Sequence, residues 1–290
     1  MKKNIALVLS GGAARGIAHI GVIEELIENG FVISSIAGNS MGAFVGAIYA
    51  LGKIDEFKHW ICSLDKTDVL SLIDFSFDGM GFIKGNKIFK KIKNFIPDKN
   101  IEDLEIPYVA VSSDLYSMQE YVFSKGSIFD AVRASISIPT IFAPVKYGDK
   151  LLVDGGLVNP IPLNIVERNN NDLLVAVHVN ADISCDYTIE NDVDYYKKIN
   201  DFKVYLNKII TKKNKEKFNY FSILNKSSML LTYSLSTMII EKYPPDILIE
   251  ISRDAAGNFD FFKASKLIKI GRLAAKKALS NFTKIKKNET

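Results

Sequence analysis

Residues 32–50 read VISSIAGNSMGAFVGAIYA. An apolar run rich in β-branched residues (32–38) passes with no spacer into a run from about Met41 to Leu51 that is dense in small and apolar residues. The first reads as a buried strand and the second as a helix. Between them stands Ser40, flanked two residues away by Gly38 and Gly42. A G-x-S-x-G match alone is weak, because a glycine-rich turn has the same letters. At a strand-to-helix turn it gains force: the bend holds the central residue in strained geometry with its side chain pointing out, and glycines on either side avoid clashes. The helix that follows lends its N-terminal dipole and free N–H groups to negative charge at Ser40.

The neighbouring segments set this turn in an alternating β/α pattern. Residues 4–10 (NIALVLS) read as a strand and 14–29 as a helix stopped by Gly30. Strands are expected at 106–114, 120–126, 150–156, 172–182 and 246–252, with a short helix beginning at Ile128. This rhythm predicts an α/β fold with a mostly parallel sheet covered by helices. Residues 55–100 read as a helical and loop excursion from the sheet, and 184–226, rich in Asn, Lys and Tyr, as an insertion within a single domain spanning 1–290. A terminal amphipathic helix is expected over 263–282. Lys266, Lys269, Arg272, Lys276 and Lys277 form its solvated face, and Leu267, Ile268, Gly271, Ala274, Ala275 and Ala278 its packing face.

Composition narrows the class. The 290 residues are 48% hydrophobic and 24% charged, which suits a globular protein with a sizeable core. No apolar run reaches the length needed to span a bilayer. The N-terminal MKKNIALVL imitates a signal peptide, but IALVL is shorter than an h-region and reads better as the first strand. Cys62 and Cys185 provide neither a disulfide framework nor a metal-site spacing, which fits a reducing cytoplasm. The net charge of +4 is concentrated in the tail, where residues 261–290 carry nine Lys/Arg against one Glu. The body is mildly acidic, so a nucleic-acid footprint is not expected.

A nucleophilic serine needs a proton acceptor. The chain holds only His19, His59 and His178, and His178 lies inside the strand pattern VAVHVNA. A Ser-His-Asp triad is therefore poorly supplied. Asp154, ending a β-run in LLVDGGLVNPIP, is the carboxylate that would take the proton directly; a turn residue of a D-G pair is its other reading. SGGAARG (10–16) lies between the first strand and helix. Its Gly11, Gly12 and Ala13 can present backbone N–H groups to an anion. The loop lacks the middle glycine of a dinucleotide fingerprint and the G-K-[ST] ending of a phosphate loop, so an oxyanion hole is the use that remains.

Together, SGGAARG (10–16), AGNSMG (37–42), RASISIPTIFAPV (133–145) and DGGLVNPIP (154–162) resemble the patatin-like phospholipase family, in the family's order and across most of residues 4–182. The resemblance implies a three-layer α/β/α sandwich and a Ser-Asp dyad that uses no histidine. It implies Ser40 as nucleophile, Asp154 as base and Gly11, Gly12 and Ala13 as oxyanion-hole donors. Arg15, Gly16, Gly38, Gly42, Gly155 and Gly156 would support the loop and the elbow. It further implies a phospholipid or lysophospholipid substrate met at a membrane surface. Neither a cofactor nor a metal is expected, and no oligomeric state is specified. A carboxylesterase or transacylase, or a non-catalytic module retaining the fold, are the alternatives.

Overall fold

A computed structural model describes residues 3–72, 74, 85–97, 99–185, 187 and 220–288. The chain divides into two compact units, one of residues 1–185 with 231–290 and one of residues 186–230. Of the second, Tyr187 and residues 220–230 are described, the latter forming the first turns of a helix. Most of the stretch read as an insertion, 184–226, lies outside the described residues.

The first unit is built on one mixed sheet of eight strands. β8 (Ile247–Ser252), β7 (Leu173–Ala181), β1 (Lys3–Leu9), β2 (Phe31–Asn39) and β3 (Tyr108–Asp114) lie side by side in that order, all parallel. Their cores are near-continuous apolar runs because helices cover both faces of a parallel sheet. Three further strands pair antiparallel: β4 (Gln119–Phe123) and β6 (Lys150–Asp154) with β3, and β5 (Val145–Tyr147) with β6. The sheet is thus parallel over five strands and antiparallel at one end, where short connections return the chain hairpin-fashion.

The pairing around β3 is decisive. Ala110 and Val111 pair with β2 and β4 at once, and residues 112–114 with β4 and β6 at once. A residue has one partner per edge, so β2 and β6 share an edge of β3, one following the other. β2 is parallel to β3 and β6 antiparallel, so their C-terminal ends meet.

Alternate residues of β1 serve the two faces. Ala6 and Val8 pack with Ile161, Leu163 and Ala176 under α7 (Tyr220–Lys242), which contributes Ile239 and Ile240. On the other side lie α1 (Ala18–Glu28), α2 (Met41–Ala50) and the terminal α8 (Ala264–Asn288). α1 and α8 cross at glycines: a Cβ on Gly21 would strike the Ile268 carbonyl, and one on Gly271 the Ala18 carbonyl. Arg272 of α8 then bridges to Glu24 of α1 at 2.9 Å and to Glu28. Leu267, Ile268, Ala274 and Ala275 are buried, whereas Lys269, Lys276 and Lys277 are exposed. The small-residue face of α8 is therefore a packing face. The excursion expected at 55–100 contains α3 (Ile54–Ser63), α4 (Lys66–Ser71) and α5 (Asn86–Ile92). α6 (Ile128–Ser135) lies against β3 and β6. Among the described residues, no helix is long and apolar enough to cross a membrane.

Candidate active site

Ser40 occupies the junction of β2 and α2 with φ 52° and ψ −123°. A positive φ at a non-glycine residue is strained and persists only where the surroundings hold it. Three features do so here. The Ser40 N–H donates to the Ser135 hydroxyl at 2.8 Å, and the Ser40 carbonyl accepts from Phe44 N–H at 3.0 Å as α2 begins. Gly38 and Gly42 let the elbow close: a Cβ on Gly38 would stand 2.5 Å from the Ala43 backbone nitrogen, and one on Gly42 would overlap the Leu9 carbonyl.

Asp154 is the last residue of β6, paired with Ser112, while Asn39 at the end of β2 pairs with Val111. The shared edge of β3 thus brings Asp154 up to the Ser40 elbow. Its backbone is fixed by N–H donation to the Ser137 carbonyl at 2.9 Å and by the Ser113 hydroxyl donating to its carbonyl at 2.9 Å. The Gly156 N–H donates to Oδ1 at 2.8 Å. Oδ2 is buried with no hydrogen-bond partner. Burial pushes the carboxyl up from 3.8 to about 6, against the pull of the Ser40 side chain, the Gly156 N–H and the Asn39 side chain. Ser40 and Asn39 act on it at short range without forming a hydrogen bond of standard geometry. A buried carboxylate with one oxygen unused, beside a serine hydroxyl, is poised to accept a proton.

The glycine loop does not present three equal donors. The Gly11 N–H is held by the Pro160 carbonyl at 3.1 Å. Gly12 and Ala13 have N–H groups with no intramolecular partner among the described residues. Ala13 has φ 49°, a left-handed geometry that glycine would adopt without strain. Arg15 ties the loop down. It donates to Asn180 Oδ1 at 2.8 Å, the Ala256 carbonyl at 2.7 Å and Asn258 Oδ1 at 3.2 Å, while Asn180 Nδ2 grips the Gly11 carbonyl at 2.8 Å. Gly16 packs against Met41, joining loop to elbow. Gly155 and Gly156 form the turn after Asp154 and touch Asn39.

The histidines stand apart from this chemistry. His19 lies buried in α1 with Nε2 at 2.9 Å from the Ser10 carbonyl, and His178 is buried on β7 with Nε2 unpartnered. Burial lowers both to about 4, so they are neutral at physiological pH. His59 lies on α3, its Nδ1 at 2.7 Å from the Asp55 carbonyl. No histidine acts on Asp154. Among the described residues, no three His, Cys, Asp or Glu side chains form a metal-ligand group.

Ser40 opens onto a cavity of about 140 Å³ whose walls are almost entirely apolar. Phe44, Phe57, Trp60, Val69, Ile92 and Phe142 are among its lining, drawn from α2 to α5 and the loop after α6. Phe57 meets Phe44 edge-on at 5.0 Å between centroids. Such a cavity suits one slender apolar group.

Two residues at the site escape a reading of motifs. Ser135 lies inside the RASISIPT stretch, whose signal was present but carried no assignment. Asn39 sits within G-x-S-x-G at a position the pattern leaves free.

The sequence of residues 7–166 matches the family model described as patatin-like phospholipase. An uncharacterized NTE family protein of Mycobacterium tuberculosis is 31% identical over 96% of this chain and 92% of its own length. The mouse patatin-like phospholipase domain-containing protein 6 is 33% identical over 65% of this chain and 14% of its own. In fold, the chain is similar to the crystal structure of VipD from Legionella pneumophila, with a TM-score of 0.51 and 16% identity, over 97% of this chain and 67% of that one. The chain belongs to the patatin-like phospholipase family.

Proposed function

We propose that this protein is a serine acyl hydrolase that cleaves fatty-acyl esters of phospholipids or lysophospholipids, with Ser40 as nucleophile and Asp154 as its base. Family membership supports lipid acyl hydrolase activity in general; the observation that carries the finer reading is the meeting of β2 and β6 on one edge of β3, which brings a strained serine to a buried carboxylate. The acyl chain enters the apolar cavity, and the ester carbonyl lies over Ser40. Asp154 Oδ2 takes the Oγ proton as Oγ attacks the carbonyl carbon. The Gly12 and Ala13 N–H groups receive the oxyanion, an interaction whose loss costs about 3–4 kcal/mol per donor. The tetrahedral intermediate expels the alkoxide, which takes the Ser40 proton from Asp154 and leaves as the alcohol. Water, deprotonated by the same carboxylate, then attacks the acyl carbon, and Ser40 Oγ leaves with that proton as the fatty acid is released.

An ordinary aspartate is a weak base for a hydroxyl. One held near 6 by burial is better matched to neutral pH while still ionised there. The test joins fluorophosphonate labelling with fatty-acid release from phospholipid, lysophospholipid and short-chain ester vesicles or micelles. Wild type should label and release fatty acid, and Ser40→Ala should do neither. Labelling that persists in Ser40→Ala, or full turnover by Asp154→Asn, would end this reading.

A further inference from the structure

The residue between Gly38 and Ser40 is at the centre of the site, though the motif leaves it unspecified. Asn39 is 1% exposed, and its amide reaches three glycines on two separate segments. A Cβ on Gly11 would stand 2.5 Å from Asn39 Nδ2, and one on Gly156 3.2 Å from the same nitrogen. A Cβ on Gly155 would stand 2.6 Å from Oδ1. The glycines of the first loop and of the acid turn are therefore bare where the Asn39 amide passes. Oδ1 is buried and makes no hydrogen bond, a cost tolerated at the end of an otherwise satisfied strand. Nδ2 and Asp154 Oδ1 both crowd Gly156, at 3.2 and 3.0 Å from where its Cβ would stand.

We propose that Asn39 is the positioning residue of this site: wedged between the Gly11 loop and the Gly155–Gly156 turn, its amide flanks the Asp154 carboxyl, restrains it beside Ser40 and sets the spacing between base and oxyanion loop. This rests on the Ser40–Asp154 reading above. The asparagine never touches the reacting carbonyl. It acts through its amide dipole beside a buried carboxylate whose second oxygen has no hydrogen-bond partner, which favours the ionised base.

The charged groups around Asp154 are committed elsewhere. Asp114 on β3 accepts from Tyr116 N–H, the Ser117 hydroxyl and Leu151 N–H. Arg133 on α6 binds Ser137 Oγ and stacks on Phe89, and Glu120 on β4 binds Asn159. Lys150, at the start of β6, pairs with Asp149, and Arg15 is held by Asn180, Ala256 and Asn258. None of them contributes to the Asp154 shift. The neutral amide is thus the nearby side chain, besides Ser40, able to tune it.

The experiment follows the rate of fluorophosphonate labelling at Ser40, and kcat and KM for ester release, from pH 4 to pH 9. Wild type, Asn39→Ala, Asn39→Ser and Asn39→Asp are compared, with melting temperature as the folding check. Asn39→Ala should lose tenfold or more in kcat with little change in KM, and its acid limb should move up by about one pH unit. Asn39→Ser, which retains a short donor, should move back toward wild type. Asn39→Asp has the shape of the native side chain, and its extra carboxylate should move the limb further up. If the limb stays put in folded Asn39→Ala or Asn39→Asp, whatever the loss of rate, the proposal is overturned and Asn39 is a packing residue. Should Asn39→Ala fail to fold, the acid limb of Asn39→Asp decides between the two roles. Failure of the dyad reading shows separately, as wild type that does not label or as Asp154→Asn that turns over normally.

Discussion

Asp154 and Asn39 pair with consecutive residues of one strand, Ser112 and Val111, although they come from strands running in opposite directions. Each is the last residue of its own strand, so two C-terminal strand ends face one another across the site. Because side chains alternate along a strand, slipping β6 by one residue on β3 would turn Asp154 to the opposite face. The antiparallel β6 is accordingly as important to the site as the Ser40 elbow.

The buried state of Asp154 sets opposite trends for activity and stability. As the proposed base it must be ionised, so kcat/KM should rise with pH through about 6 and level off above it. In the unfolded chain the carboxyl ionises near 3.8, so from about pH 4 to 6 the folded protein retains the extra proton. Its contribution to stability is full below that window and is lost as pH rises through about 6. Asp154→Asn removes the buried charge. It should abolish turnover yet raise unfolding free energy at pH 8 by about 1–3 kcal/mol, with the gain vanishing below pH 4. Denaturant melts of both proteins at the two pH values check this.

His178 offers a control for the absence of a triad. A stably folded His178→Gln variant should retain kcat within about twofold of wild type and an unmoved acid limb, since the proposed proton transfer runs through Asp154 and not through an imidazole. Its buried position makes a loss of about 1–3 kcal/mol in stability the expected cost. A thousandfold loss of kcat in the folded variant would restore histidine to the mechanism.

Ser135 holds Ser40 from behind. Ser135→Ala strands the buried Ser40 N–H, which should destabilise the protein by about 1–3 kcal/mol and lower kcat by relaxing the elbow. Ser135→Thr, which retains the hydroxyl, should recover stability if the added methyl is accommodated. Thermal melts and ester release on the pair separate the hydrogen bond from the packing.

Val69 lines the apolar cavity from α4. Val69→Phe adds bulk inside it and should cut release from long-chain esters tenfold or more, while acetyl and butyryl esters are affected within about threefold; a lost methylene contact is worth about 1–3 kcal/mol. Equal losses across all chain lengths would argue against an acyl chain in this cavity.

The candidate site was legible in sequence wherever local sterics wrote it. A β-branched run breaking into a small-residue helix, with glycines two residues to each side of Ser40, can hardly fold other than as an elbow, and the observed positive φ is the physical content of that pattern. The glycine loop and Asp154 were likewise visible from their residue types. The buried face of α8 followed from its 3.6-residue periodicity. By contrast α7, whose apolar residues follow no single stripe, had no such signal before the structure; Ile239 and Ile240 on the core face and the buried Ser236 are among the contacts that place it.

Local patterning determined the strand–elbow–helix unit, the glycine loop and the scarcity of histidine bases, because each depends on residues within one turn or strand. Tertiary structure alone decided that β6 runs antiparallel and meets β2 end to end, that Pro160 takes the Gly11 N–H, and that Ser135 and Asn39 reach the elbow and the acid turn. Those contacts join segments far apart in the chain. Their partners are selected by sheet register and burial, which a backbone hydrogen bond enforces without regard to the side chains on either side.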